Sequence, residues 1–294
     1  MLDRAGFGEI LVNAVDLTDA IYAAHHGEPA NISIAAEEVR EFDSDLEAAT
    51  GPPAPLFGAY VDAEGKLRAL NDLMRSAAAL LARDDTNVGY VVVLRSALET
   101  AARLYWVLGP DGGHLDRAGR FLSERLRSIN EGKKLNNEAR MALSEIEAEL
   151  FAGAERAGIP VPGAPTATDL ITDLLNRPGA LRLTGVDLGE TASVFYRIPS
   201  ASTHAALHGV VQHFEDPRRD LNARRTTPEP WEQTLVVGAG LYSAYTSAHR
   251  ALLELYGWDP TDWNRDVRAA SLRITEALSV ERERLGTDSD DDLI

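Results

Sequence analysis

The chain has 294 residues, 45% of them apolar, enough to bury a substantial core without covalent staples. It contains no cysteine, which excludes disulfides, thiolate zinc sites and a cysteine nucleophile, and fits a reducing compartment. A formal net charge of -17 repels nucleic acid phosphates over long range and argues against sequence-independent DNA binding.

The first twenty-one residues carry Asp3, Arg4, Glu9, Asp16 and Asp19, so they lack the uninterrupted apolar run of a signal peptide. The uncharged stretch Thr234–His249 holds glycines, serines and tyrosines. It falls short of the roughly 20 apolar residues that a membrane helix needs. The expectation is a soluble, cytoplasmic protein with no membrane partner.

Helical periodicity opens the chain, with Phe7, Ile10, Leu11, Ala14, Leu17 and Ile21 spaced by three and four. A second, acidic helix is predicted over Ile34–Ala49. Gly51-Pro52-Pro53-Ala54-Pro55 cannot continue it, because proline lacks the amide donor and restricts the residue before it. This break divides a helical region at residues 1–50 from a main bundle at residues 55–285. The bundle is predicted to hold helices over Ala63–Ala82, Val88–Leu108, Leu115–Lys134, Glu138–Ala157, Ala167–Leu175, Trp231–Tyr256 and Pro260–Leu285. The helix over Val88–Leu108 is stopped by Gly109-Pro110-Asp111-Gly112-Gly113. Residues 286–294, rich in aspartate, read as a disordered acidic tail. The fold class is all-α, a multi-helix bundle with almost no strand.

Two stretches run against the acidic balance. Arg117, Arg120, Arg125, Arg127, Lys133 and Lys134 form one, and Arg218, Arg219, Arg224 and Arg225 the other. Each reads as a solvated basic face balancing acidic neighbours, or as a local surface for phosphate. The apolar helix carries Arg95, Glu99 and Arg103 at i, i+4 and i+8, a polar stripe whose charges need partners. Gly238-Ala239-Gly240 lacks the strand and third glycine of a nucleotide-binding turn and reads as close helix packing. His25, His26 and His249 read as structural.

Polar chemistry concentrates in Tyr196–His208, which gathers Arg197, Ser200, Ser202, Thr203, His204 and His208. On an uninterrupted helix Arg197 and His204 would lie two turns apart, about 20° from the same line. Pro199 favours a helix start, which puts Arg197 in the approach segment and His204 in the second turn. In either geometry a guanidinium fork and an imidazole that titrates near neutral pH could meet one phosphate. His204 and His208, one turn apart, also raise a metal-dependent hydrolase, although His-Ala-Ala-Leu-His lacks the glutamate of a His-Glu-x-x-His site.

The pair Arg197 and His204, with six residues between them on a helical chain, resembles the Arg-x4-6-His motif of HEPN ribonuclease-like domains over about Val88 to Phe214. Leu94–Trp106 also resembles helices of bacterial all-helical proteins in which an arginine and a glutamate precede a later serine and histidine segment. The resemblance implies a homodimer that cleaves RNA without metal or other cofactor, in RNA processing, toxin activity or phage defence. It gives Arg197 the phosphorane and His204 a proton on the ribose 2'-hydroxyl or the leaving oxygen. Tyr196, Ser200, Ser202 and His208 would orient substrate, Glu99 and Arg103 would brace the pair, and Arg120, Arg125 and Arg127 would contact RNA. The alternative is a non-catalytic helical interaction or ligand-binding protein of the same fold.

Overall fold

The structure, a computed structural model, describes residues 2–83, 88–177 and 231–285. These residues form nine α-helices and no strand: α1 (Arg4–Ala24), α2 (Ile34–Thr50), α3 (Pro55–Leu81), α4 (Val88–Leu108), α5 (His114–Gly132), α6 (Asn137–Arg156), α7 (Ala167–Leu175), α8 (Trp231–Tyr256) and α9 (Thr261–Leu285). The protein is an all-α bundle. No helix among the described residues is long and apolar enough to cross a membrane.

Local sequence sets most of the helix ends. Asp3, Ser33, Asn136 and Thr166 cap the N-termini of α1, α2, α6 and α7, each accepting a backbone N–H of the first turn. Positive-φ glycines follow three C-termini: Gly51 after α2, Gly109 after α4 and Gly257 after α8. Helix α3 departs from the sequence expectation, since it starts at Pro55 and not at Ala63. Pro55 occupies the first helical position, where its missing N–H is no loss. The next two amides are taken by a carboxylate from another helix: Leu56 N and Phe57 N each donate to Asp43 of α2 at 2.8 Å.

Helices α3 and α4 pack together at the centre, with α1 on α3, α8 on α4, and α9 covering α1 and α8. The main core joins Phe7, Leu11, Leu70, Met74, Leu98, Tyr245 and Trp263. Each fully buried leucine of this kind contributes about 1.5–3 kcal/mol. The two N-terminal helices therefore pack on the body of the molecule, α1 inside the main core and α2 against α3 and α6. A second core, built from Leu46, Leu56, Val107, Phe121, Leu122 and Leu150, lies where α5 and α6 meet α2 and α3.

Small residues let these layers close. Gly58 of α3 faces the Phe121 ring, and an added Cβ would reach within 2.6 Å of it. Gly238 of α8 faces Phe7 in the same way, with a Cβ only 2.3 Å from the ring. That glycine is a packing device, as its sequence context suggested.

Candidate functional site

Among the described residues, ionised side chains gather at the junction of α3, α4 and α5. Glu99 and Arg103, one turn apart on α4, are joined by two hydrogen bonds from Arg103 to Glu99 Oε1, at 3.1 Å from Nε and 3.0 Å from Nη2. Arg103 Nη1 then crosses to α5 and donates to Glu124 Oε1 at 2.9 Å. The other oxygen of Glu124 accepts from Arg127 Nη2 at 2.8 Å. Glu124 is thus clamped between two guanidinium groups, with 6% of its side chain exposed against 37% for Arg127. Burial works to raise its pKa, but the hydrogen bond and charge of Arg127, with the charges of Arg103 and Lys66, hold the carboxyl below its ordinary value.

This network forms one side of a cleft of about 350 Å³ between α3, α5 and α6. Asp62 and Lys66 line it from α3, and Leu143 and Ile146 from α6. Helix α5 supplies Phe121, Glu124, Arg125, Arg127 and Ile129. Lys66 is paired with Asp62 one turn earlier. Arg125 is different. Its guanidinium lies 5.9 Å from the centre of the Phe121 ring, and its Nη1 is buried without a hydrogen-bond partner. Burial pushes its pKa down, with no carboxylate among the described residues to offset the effect. A buried donor left unmet costs about 1–3 kcal/mol. Arg127 Nε is likewise buried and unmet.

The remaining basic residues of α5 serve the fold. Arg117 is 2% exposed and not part of a solvated face. Its Nε donates to Glu38 Oε2 at 2.9 Å, its Nη2 pairs with Glu38 Oε1, and its Nη1 donates to the Gly109 and Gly112 carbonyls at 3.2 and 2.6 Å. Tyr60 OH donates to the same Glu38 at 2.8 Å. Arg120 Nη1 donates to the Trp106 carbonyl at 3.2 Å, at the end of α4. Burial, with Arg117 close by, lowers its pKa against the pull of Asp116.

The structure thus joins Glu99 and Arg103 to Arg127 through Glu124, sets Arg125 in the adjoining cleft, and places Arg120 apart from both. Arg197 and His204, with Tyr196, Ser200, Ser202 and His208, lie outside the described residues. Sequence reasoning missed Glu124, Asp62 and Lys66. A signal for the first existed: Arg117, Phe121 and Glu124 are spaced i, i+4, i+7, so two charged residues share the buried stripe of α5. Among the described residues no group of three or more His, Asp or Glu side chains is placed to hold a metal ion. No protein-family model, curated protein or solved structure matches this chain.

Proposed function

We propose that the chain is a HEPN-like RNA-processing, toxin or defence protein, a homodimer that cleaves RNA without a metal through Arg197 and His204. The observation that carries the reading is the concentration of arginine, serine, threonine and histidine in Tyr196–His208 of an all-helical chain. Arg197 offers two parallel N–H donors to the equatorial oxygens of a phosphorane, where negative charge develops. His204 takes the proton of the ribose 2'-hydroxyl as its oxygen attacks phosphorus, or returns one to the departing oxygen. Tyr196, Ser200, Ser202 and His208 orient the strand. The Glu99–Arg103 pair is a brace on α4. Arg197→Ala and His204→Ala should each abolish cleavage of a single-stranded RNA while leaving the melting temperature unchanged. Cleavage by either variant at the wild-type rate overturns the assignment.

A second reading, a non-catalytic ligand-binding protein of the same fold, draws on the cleft beside Arg125. It predicts no RNA cleavage by the wild-type protein, together with saturable binding of a small ligand.

A further inference from the structure

The geometry points to the cleft between α3, α5 and α6 as a binding site for a small organic anion, a phosphate or carboxylate head on an apolar body, held by Arg125 and Arg127. The inference does not depend on Arg197 or His204. It begins with the charges lining the cleft. Asp62 is paired with Lys66, and Glu124 is held by Arg103 and Arg127. Both carboxylates are already charge-paired, Asp62 through one oxygen and Glu124 through both, so a cation entering the cleft would compete with Lys66, Arg103 and Arg127. Arg125 is the lining cation that lacks a carboxylate among the described residues, in a chain whose net charge is -17.

Two donors of these arginines are unmet among the described residues, and both lie below the accessible surface, so an anion engages them as the side chains turn toward it. Nη1 of Arg125 and Nε of Arg127 are both buried and without partners, on residues two positions apart that line the same cleft. The side chain of Arg125 is steadied against Phe121, which limits the entropy lost on closing over a head group. Behind the arginines the wall turns apolar, with Phe121, Ile129, Leu143 and Ile146. A ligand of charge alone would leave that wall wet. A volume of about 350 Å³ suits a head group with one ring or a short aliphatic body. The same wall makes a long acidic polymer a poorer fit than a compact amphiphile.

The test is calorimetric titration of the full chain with phenyl phosphate, benzoate and inorganic phosphate, with the melting temperature followed in parallel. Phenyl phosphate or benzoate is expected to bind saturably, inorganic phosphate more weakly, and the better of the two organic probes identifies the head group. Arg125→Met should weaken binding about tenfold or more through loss of a charge-assisted hydrogen bond. The ligand-free variant should melt no lower than wild type, because the substitution removes a half-buried guanidinium that has no carboxylate partner among the described residues. Ile146→Glu, which puts a carboxylate into the cleft from α6, should weaken binding similarly and covers the case in which the first variant fails to fold. Arg197→Ala should bind phenyl phosphate as wild type does, which separates this site from the proposed ribonuclease centre. Absence of saturable binding by either organic probe overturns the inference. So does undiminished binding by the Arg125 and Ile146 variants, or binding of inorganic phosphate as tight as that of phenyl phosphate.

Discussion

Glu38 and Glu131 are both paired glutamates, yet they hold the molecule together to very different degrees. Glu38 meets a guanidinium with 3% of its side chain exposed and also accepts from Tyr60, whereas the Glu131–Lys134 pair stands in solvent. Breaking a buried pair leaves a desolvated charge without compensation, so Glu38→Ala should lower the unfolding free energy by about 3–5 kcal/mol. Glu131→Ala should leave the urea midpoint unchanged, since exposed pairs are screened. Equal midpoints for the two variants would refute this ranking. His249 gives a second residue-scale expectation. It is fully buried against Tyr245 and Trp263 with neither ring nitrogen hydrogen-bonded, and burial lowers its pKa from 6.5 to about 3. The unfolded chain therefore takes up a proton as pH falls through 6.5, while the native state takes none until about 3. Within that window the unfolded state binds more protons, and stability falls with decreasing pH by up to about 1.4 kcal/mol per unit. Above 6.5 this residue adds no pH dependence. His249→Phe should flatten the acid limb of a stability–pH curve relative to wild type, and an unchanged slope would contradict the account.

At the scale of elements, the crossing of α1 and α8 depends on the missing side chain at Gly238. A methyl group there would press on the Phe7 ring at 2.3 Å. Gly238→Ala should therefore destabilise by about 1–3 kcal/mol despite its better helix propensity, and pairing it with Phe7→Leu should restore part of the loss in thermal melts. Helix boundaries were legible in the sequence where the stop or cap is local. Helix α4 runs over Val88–Leu108 as its glycine-rich ending implies, and α7 and α8 likewise match their periodic segments. The early start of α3 was hidden because its cap, Asp43, comes from a different helix. The candidate site divides along the same line. The Glu99–Arg103 pair follows from i, i+4 spacing, but its continuation to Glu124 and the cleft beyond require knowing that α5 lies against α3, which no local pattern encodes. The burial of Arg117 ran against the rule that arginine belongs outside, and its partner lies 79 positions earlier in the chain.

For the molecule as a whole, a net charge of -17 means that the folded state repels itself. The strongest ion pairs, at Glu38 and Glu124, are sheltered from solvent and little affected by salt. Raising sodium chloride from about 0.01 to about 0.15 M shortens the screening length from roughly 30 to 8 Å. The melting temperature should rise by a few degrees; a fall would show that exposed ion pairs outweigh the repulsion. The position of α1 carries a different kind of consequence. Tyr245 on α8 donates to Thr18 on α1 across 227 positions, and Phe7 packs beneath Gly238. A ribosome adding about 5–20 residues per second makes the partner of α1 roughly 10–45 s after α1 itself. Throughout that interval α3 is the main described helix already made on which α1 packs, so the face of α1 that α8 and α9 later cover stays open to a chaperone on the emerging polypeptide.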